Sequence, residues 1–377
     1  MNTTAHAQKV AAEHGVIASF PDEFFGYFGW PSITRMANGT LAVVASGLRH
    51  AHVCPFGRTV ICFSQDEGRT WTSPVVVNDT PIDDRDAGIL ALGGNKLLVS
   101  WFTSDMRRYK GHLPLGEDAS PELVQRYGDA LRRFDDATVD RWLGSWVRRS
   151  DDGGETWETP LRVAVTAPHG PIRLGDGSLL YLGKTYQKDA GGAIQAWRSQ
   201  SDGELWEPLG SVPLIAGTVE ANYHEPHVAE LPDGRLIGLI RIEDSAGAPN
   251  LAAAGVVHFS MAQSESHDGG LTWTPAHPLG FHGSPPHLLQ HSSGALIAVY
   301  GYRLPPYGQR AMVSTDGGAT WIYDYVLRDD GPDGDLGYPA SVELSDGSVL
   351  TICYQKAGHA EEKCSLLWTR WRPAELR

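Results

Sequence analysis

The chain has 377 residues, of which 43 are Gly, 24 are Pro and 12 are Trp, and only 20% are charged. This composition predicts many short strands joined by tight turns, and so an all-β fold. The formal net charge of −14 argues against nucleic-acid binding, and the absence of a long apolar run argues against a leader or a membrane span, so we expect a cytoplasmic protein.

A short motif with the consensus Ser-x-Asp-x-Gly-x-Thr-Trp recurs along the chain. Intact copies start at Ser64, Ser150, Ser266 and Ser314, and a degraded copy, SQSDGELW, starts at Ser199. The spacing is typical of a hairpin turn in which Ser and Asp oxygens accept backbone N–H bonds, Gly adopts positive φ and Trp packs between sheets. We therefore interpret these residues as structural.

Hairpins give an independent count of the sheets. Each shows apolar alternation interrupted by a small-residue turn and followed by an apolar strand such as LIGLIR. The turns lie at Asn38-Gly39, Gly93-Gly94, Asp176-Gly177, Asp233-Gly234, Ser293-Gly294 and Asp346-Gly347. The sequence thus predicts a six-bladed β-propeller as a single domain over residues 1–377, with residues 16–19 supplying the outer strand of the last blade.

An insertion interrupts the second predicted blade. The first two copies of the motif are separated by far more residues than the roughly 50 that one blade needs. The excess spans about residues 105–146, where Ser120 and the apolar positions of Leu123, Tyr127 and Leu131 predict a capped amphipathic helix. Since it connects the second and third strands, we expect this helix to be a wall or lid of the functional pocket. The alternative is an insert that serves packing alone.

The two series of turns mark one face of the propeller, because the first and third turns of an antiparallel blade lie on the same side. Function is therefore expected on the opposite face, before the first strand and after the second strand of each blade. Ionisable and aromatic residues crowd these positions. They are Trp30, Asp84, Arg85, Asp86, His169, His224, Glu225, His227, His287 and Tyr338 before first strands, and Arg49, His50, His52, Arg241 and Arg303 after second strands.

With these residues and motifs, the chain resembles the sialidase superfamily over nearly its whole length. The turn motifs look like that family's Asp boxes, and the resemblance implies glycoside hydrolysis by a tyrosine that a glutamate activates, with an aspartic acid/base and three arginines on the substrate carboxylate. It makes Tyr338 in GYPAS the nucleophile and Glu225 in HEPHVAELPDG its activating base. The arginines implied are Arg241, Arg49, and either Arg303 or Arg310.

The chemistry of these side chains agrees with the resemblance. A phenol is a poor nucleophile at neutral pH unless a carboxylate takes its proton, and Glu225 is the obvious partner of Tyr338. Arginine forks suit two-pronged binding of a carboxylate or of sugar hydroxyls.

Two positions depart from the family's pattern. Trp30 stands where the family has an arginine-isoleucine-proline element, and the loop expected to hold the acid/base aspartate reads HAHVCPFG. His50, His52, Asp84 and Asp86 are the alternative candidates for the acid/base, because each is on the functional face and can exchange a proton.

The histidines of the functional face are unusually dense. We assign His169, His224, His227 and His287, with Arg85 and Trp30, to substrate binding by hydrogen bonds and stacking. A metal site built from three histidines is an alternative, but short ligand spacing is missing, so we predict neither a metal nor a cofactor. The cysteines, Cys54, Cys62, Cys353 and Cys364, are expected to be free and buried, or bridged as 54–62 or 353–364 in an exported protein.

Three functions are compatible with this pattern. The first is an exo-acting glycoside hydrolase for a terminal acidic or related sugar. The second is a polysaccharide lyase in which His and Tyr exchange protons and an arginine neutralises a uronate. The third is a non-catalytic glycan-binding propeller. Each predicts a glycan as the partner.

Overall fold

The computed structural model describes residues 2–109, 115, 119–185 and 192–373, with side chains described from residue 8 onward except at 108 and 109. Six separate sheets form the blades of a β-propeller, which confirms the predicted fold class. Each blade begins at its innermost strand and continues outward. Within the described ranges, no helix is long and apolar enough to cross a membrane. All of the cysteines are free and buried.

Two N-terminal strands, β1 (Asn2–Lys9) and β2 (Ala12–Ala18), join blades that form at the end of the chain. The first runs parallel to the outer strand of blade five. The second runs antiparallel to the last strand of the chain, where Val16 pairs with Leu367. The N-terminal segment therefore closes the ring, as predicted for residues 16–19.

The remaining strands follow in chain order. Blade one contains β3 (Tyr27–Arg35), β4 (Leu41–Arg49), β5 (Arg58–Ser64) and β6 (Val75–Asn78). Blade two contains β7 (Asp83–Gly93), β8 (Lys96–Ser104), β9 (Ser145–Ser150) and β10 (Leu161–Val163). Blade three contains β11 (Val165–Thr166) and β12 (Ile172–Arg173), which both pair with β13 (Leu179–Thr185), and then β14 (Ile194–Ser199) and β15 (Glu207–Ser211).

The second half of the ring repeats the arrangement. Blade four contains β16 (Tyr223–Glu230), β17 (Leu236–Ile242), β18 (Ser260–Ser266) and β19 (His277–His282). Blade five contains β20 (Pro286–Gln290), β21 (Leu296–Tyr302), β22 (Tyr307–Ser314) and β23 (Thr320–Gly331). Blade six contains β24 (Gly337–Glu343), β25 (Val349–Gln355) and β26 (Ser365–Trp371). Short 3-10 helices span Met106–Tyr109, Glu220–Asn222 and Leu251–Ala254.

The repeated turn motifs have the predicted chemistry. In the copy that begins at Ser266, the Asp268 carboxylate accepts bonds from the Thr272 backbone N–H at 2.9 Å and from its hydroxyl at 2.6 Å. The Ser266 hydroxyl accepts the N–H of Gly270, whose φ is +95°. The Trp273 indole then donates to the Gly270 carbonyl. These bonds fix the turn internally, so the motif is used for folding.

Apolar side chains from neighbouring blades interdigitate at every blade interface, and six buried clusters result. Blade six, for example, contributes Ile352 and Tyr354 to the cluster that contains Phe28 and Val43 of blade one. Burial of this kind stabilises the ring by about 25 cal/mol for each Å² of apolar surface removed from water. The rigid ring then holds the loops of one face around the axis.

The described part of the insertion in blade two is largely helical, as predicted, and residues 110–114 and 116–118 of the predicted insert lie outside the described residues. It contains α1 (Pro121–Arg132) and α2 (Asp136–Trp142). The Ser120 hydroxyl caps α1 by accepting the Leu123 N–H. Tyr127 of α1 is fully buried and its hydroxyl lies 3.0 Å from His50 Nδ1. The helix thus supports the loop that follows β4.

Candidate active site

Four innermost strands carry the same backbone irregularity where they reach the functional face. The strand register shifts at Trp30, Asp86, Glu225 and Tyr338, and all four residues have φ between +45° and +51°. A β-bulge with a left-handed residue turns that side chain out of the normal alternation, at a cost of roughly 1–2 kcal/mol for a residue with a Cβ. Such strain in the backbone is typical of functional positions.

Tyr338, Glu225 and Arg241 form one hydrogen-bonded group. The Tyr338 hydroxyl donates to Glu225 Oε1 at 2.5 Å, and Arg241 Nη1 donates to Glu225 Oε2 at 2.6 Å and to the Tyr338 oxygen at 3.1 Å. Arg241 Nη2 also donates to Glu243 at 2.5 Å. The predicted nucleophile, its base and one triad arginine are therefore brought into direct contact.

The charges of this group are set by burial and by one another. Burial alone would raise the pKa of Glu225, but the Arg241 charge and the Tyr338 hydrogen bond hold that pKa below its ordinary value. Burial, followed by the negative charge of Glu225, raises the pKa of Tyr338 well above that of a free phenol. At neutral pH the tyrosine is thus protonated and points at an ionised base, the arrangement that proton removal requires.

A second arginine, Arg303, lies against the Tyr338 ring. The Arg303 guanidinium stacks over the Tyr338 ring at 5.9 Å and over the Phe259 ring at 5.0 Å, and Arg241 stacks on the same Phe259 at 4.8 Å. Arg303 donates through Nε to the Leu336 carbonyl and through Nη2 to the Tyr354 hydroxyl. No hydrogen bond to its Nη1 occurs among the described residues, so this donor is open to a ligand.

Trp30 organises the blade-one side of the pocket. The Arg85 guanidinium stacks on the Trp30 ring at 4.2 Å, and the His52 ring meets it edge-on at 4.9 Å. Trp30 also lies 6.4 Å from the Tyr338 ring. Arg85 donates through Nη1 to the His52 carbonyl. Trp30 is only 1% exposed and Arg49 also lies over its ring at 4.9 Å, so we correct its assignment to substrate binding: the indole positions these side chains and has no free face for a sugar.

Asp86 contributes a protonatable carboxyl group. Its side chain makes no hydrogen bond within the part of the chain that the structure describes. Burial, and then the nearby charge of Glu225, raise the pKa of Asp86 to about 7. At mildly acidic pH, Glu225 is thus ionised while the neighbouring Asp86 is protonated. Two carboxyl groups whose pKa values differ in this way are common in acid/base sites.

Two of the arginines predicted to bind substrate form ion pairs and hydrogen bonds within the protein instead. The buried Arg49 guanidinium bonds to Asp83 at 2.7 and 3.1 Å, and its other donors are taken by Ser46 and by the carbonyls of residues 51, 52 and 84. Arg310 pairs with Asp324 and donates to the Arg328 carbonyl. We therefore correct both assignments, because both guanidiniums are buried, at 0% and 3% exposure, and are bonded to acceptors of the protein.

Three candidates for proton transfer differ in their surroundings. Asp84 is fully buried and accepts bonds from Thr80 and Asn78, which assigns it to the structure of the loop. His50 stacks on Phe24 beside the inserted helix, and burial followed by the Lys363 charge lowers the pKa of His50 to about 4. Of the histidines after β4, His52 is thus the one that reaches Trp30.

His224 lies on the other side of Glu225, with Lys184. The Lys184 ammonium donates to the Tyr223 carbonyl at 2.7 Å and lies 3.3 Å from His224 Nδ1. His224 Nε2 is 3.0 Å from the Ser245 hydroxyl. Burial, then the Lys184 charge, lowers the pKa of His224. These groups form a polar border of the site.

His169, His227 and His287 meet as a buried trio beside the propeller axis. The His227 and His287 rings stack at 4.3 Å, and His169 stands perpendicular to both. Nδ1 of His227 accepts the Leu288 N–H, and Nδ1 of His287 accepts the Ser341 N–H. Burial lowers the pKa of all three, so the rings are neutral and Nε2 carries the proton in the two that accept at Nδ1. That tautomer does not ligate a metal through either nitrogen.

Sequence reasoning missed Asp335, Phe259 and Glu243. Asp335 lies just before β24, and its Oδ1 is 2.8 Å from His52 Nδ1. The acidic run PDGD, which ends one residue before GYPAS, was the available signal for it. Glu243 stands two residues after Arg241, so the sequence RIE was the available signal for it. No local pattern indicates Phe259, because Arg241 and Arg303 come from other parts of the chain and meet its ring only in the folded protein.

The blades, the turn motifs and the Tyr338 group define a sialidase-type β-propeller. A family model described as a BNR repeat-like domain matches residues 119–351, so the chain belongs to that family. The chain is also 29% identical over 185 residues to the xyloglucanase Xgh74A of Acetivibrio thermocellus, a match that spans 44% of this chain and 20% of the xyloglucanase.

Solved structures share the fold. A protein of unknown function from Dyadobacter fermentans superposes with a TM-score of 0.72 at 23% identity, over 96% of this chain and 98% of that one. The Hadza microbial sialidase Hz136 superposes with a TM-score of 0.65 at 17% identity, over 96% of this chain and 68% of the sialidase. At these identities the likeness establishes the architecture of the chain.

Proposed function

We propose that the protein is an exo-acting glycoside hydrolase that removes a terminal acidic sugar, with Tyr338 as nucleophile and Glu225 as its base. The observation that carries this proposal is the 2.5 Å bond from the Tyr338 hydroxyl to a carboxylate that Arg241 holds ionised. Burial of a carboxylate costs free energy, and a tyrosine used only for packing would not require a charged group beside it. The ionised Glu225 is therefore better explained by a role in removing the Tyr338 proton.

The acidic substrate is inferred from the arginines around Tyr338. Arg241 is committed to Glu225 and Glu243, and Arg85 Nη1 donates to the His52 carbonyl and to Asp83, but Arg303 Nη1 and Arg85 Nη2 have no acceptor among the described residues. Arg303 lies over the Tyr338 ring, and Arg85 lies over the neighbouring Trp30 ring. These donors suit a substrate carboxylate, because a guanidinium binds carboxylates through paired N–H bonds.

In the first step, the Tyr338 oxygen bonds to the anomeric carbon as the bond to the leaving group breaks, the phenol proton passes to Glu225, and an acid/base group of the site gives a proton to the leaving oxygen. In the second step, water attacks the anomeric carbon and gives a proton back to that acid/base group, while the bond to Tyr338 breaks and Glu225 returns the proton to the phenolate. Arg241 donates to both Glu225 and Tyr338, so it limits the charge that accumulates on either oxygen.

The test is a panel of 4-nitrophenyl glycosides of N-acetylneuraminic, glucuronic and galacturonic acids, with the neutral glucoside as control. We expect nitrophenol from an acidic member alone, and none with Glu225→Gln. Binding of an acidic glycan without release from any member would support the glycan-binding propeller instead.

A polysaccharide lyase is the second candidate, and the exposed imidazole of His52 beside Trp30 favours it. A lyase abstracts the proton next to a uronate carboxylate and leaves an unsaturated sugar. Cleavage of polyuronates with a new ultraviolet absorbance, in place of nitrophenol release, would identify that activity.

A further inference from the structure

The pocket contains a second pair of titratable groups that the nucleophile does not use. His52 Nδ1 lies 2.8 Å from Asp335 Oδ1. His52 comes from the loop after β4, and Asp335 comes from the segment that leads into β24. The pair therefore joins blade one to blade six beside Tyr338.

Asp335 is held in its ionised form. The Tyr27 hydroxyl donates to its Oδ1 at 3.0 Å and the Tyr354 hydroxyl at 3.4 Å. Burial alone would raise the pKa of Asp335, but the His52 hydrogen bond and charge hold that pKa below its ordinary value. An ionised carboxylate at Nδ1 fixes the proton of the imidazole there, so neutral His52 presents the lone pair of Nε2.

The other nitrogen of His52 is available. Nε2 makes no hydrogen bond within the described ranges, and the side chain is 40% exposed although the ring lies against Trp30. His52 and Tyr338 both contact the Trp30 ring, so the imidazole and the nucleophile belong to one cluster of side chains. An oriented imidazole with one free nitrogen in a pocket is suited to proton transfer.

We propose that His52 is the acid/base of this site and that Asp335 is its positioning residue; this inference rests on the proposed hydrolase function. Protonated His52 gives its Nε2 proton to the leaving-group oxygen as that bond breaks and Tyr338 attacks. Neutral His52 then takes a proton from the water that attacks the anomeric carbon, while Tyr338 leaves and recovers its own proton from Glu225. Each proton donated is thereby restored within one turnover.

Asp86 is the competing proton donor. It is more deeply buried than His52 and lies close enough to Glu225 for that charge to raise its pKa. This position is beside the base of the nucleophile, whereas a leaving group departs toward the pocket entrance. The difference in placement favours His52, and substitution of each residue separates the two.

The experiment compares His52→Gln, Asp335→Asn and Asp86→Asn on the 4-nitrophenyl and lactose glycosides of N-acetylneuraminic acid, or of another acidic sugar that the wild type releases. Nitrophenolate leaves without protonation, whereas lactose needs an acid. We expect His52→Gln to lower kcat/KM about 10²-fold or more for the lactoside and less than about 10-fold for the nitrophenyl glycoside. His359→Gln is the control, because His359 is an exposed histidine paired with Glu361.

The pH profile tests the positioning role of Asp335. Burial lowers the pKa of His52, Asp335 raises it, and the charges of Arg85 and Arg303 lower it. We expect the basic limb of the lactoside profile to move to lower pH in Asp335→Asn, because the imidazolium then loses its anionic partner and keeps its cationic neighbours, and to disappear in His52→Gln. Thermal unfolding confirms that each variant is folded, and Asp335→Asn carries the test if His52→Gln does not fold. Equal losses on both substrates, or the leaving-group dependence appearing in Asp86→Asn instead, would overturn the proposal. Full activity of Tyr338→Phe would overturn the hydrolase mechanism itself.

Discussion

The Tyr338 hydroxyl and Glu225 Oε1 are 2.5 Å apart, although they come from blades six and four, which are not neighbours in the ring. The bond therefore forms only when the ring has closed. It joins a protonated phenol to an ionised carboxylate, and its role is tested by removal of the single phenolic oxygen.

Tyr338→Phe should abolish turnover and leave ligand binding nearly intact. The bond to the anomeric carbon needs the phenolic oxygen, whereas the ring face and the arginines that bind the ground state stay in place. The measurements are kcat on the best acidic glycoside and the Kd of its sugar. If the variant keeps more than about 10% of kcat, a loss below about 1.4 kcal/mol, Tyr338 is not the nucleophile.

Asp86→Asn should change how stability depends on pH. The folded-state pKa of Asp86 is about 7, above its value of 3.8 as a free side chain, so the folded protein holds this proton more tightly than the unfolded chain. The corresponding stability is present below pH 4 and is lost as pH rises toward 7, by an amount on the order of 3–4 kcal/mol. Asparagine does not titrate, so the variant should lack this decrease in the free energy of unfolding between pH 4 and pH 7.

The measurement is urea unfolding of both proteins at pH 4.5 and pH 8. Asp84, whose pKa burial also raises to about 7, contributes in the same direction in both proteins and cancels from the comparison. If the free energy of unfolding changes equally with pH in the wild type and in the variant, Asp86 is ionised in the folded protein at both pH values.

Arg49→Met should destabilise the protein by about 3–5 kcal/mol, because it leaves the Asp83 carboxylate buried without its partner. The double variant Arg49→Met/Asp83→Leu should recover part of that loss, since the buried carboxylate is then removed together with its closest partner, and Arg85 loses only its 3.4 Å contact with Asp83. Chemical denaturation of the set gives both values. A loss confined to substrate affinity, with unchanged stability, would restore Arg49 as a ligand of the substrate.

The degraded turn motif of blade three offers a stabilising change. Ser201 stands at the Asp position, where its hydroxyl accepts the Leu205 N–H at 2.9 Å. Ser201→Asp with Leu205→Thr should add the carboxylate–hydroxyl bond found in the intact copies and stabilise the protein by about 0.5–1.5 kcal/mol. Ser201→Asp alone is the matched control and should give less. A destabilised double variant would contradict this account of the motif.

The repeat chemistry made the fold predictable from the sequence, because each turn is fixed by residues a few positions apart, as in Asp268 and Thr272. The Tyr338–Glu225 pair was predictable because both residues stand where innermost strands meet the functional face. The structural ion pairs of Arg49 and Arg310 could not be predicted from the sequence, because a neighbouring blade or strand supplies the carboxylate that each arginine binds. Asp335 was missed for the same reason, since its partner His52 is distant in the chain.

The left-handed bulges at Trp30, Asp86, Glu225 and Tyr338 make the side chains of the site independent of the strand pairing that holds each sheet together. The bulged residues are unpaired in the strand register, so a change of side chain there leaves the hydrogen-bond ladder of the blade intact. Repetition of the blade places the same bulge at several points around one axis. New specificities can therefore arise by exchange at one of these positions at a time, while the ring that supports them is inherited unchanged.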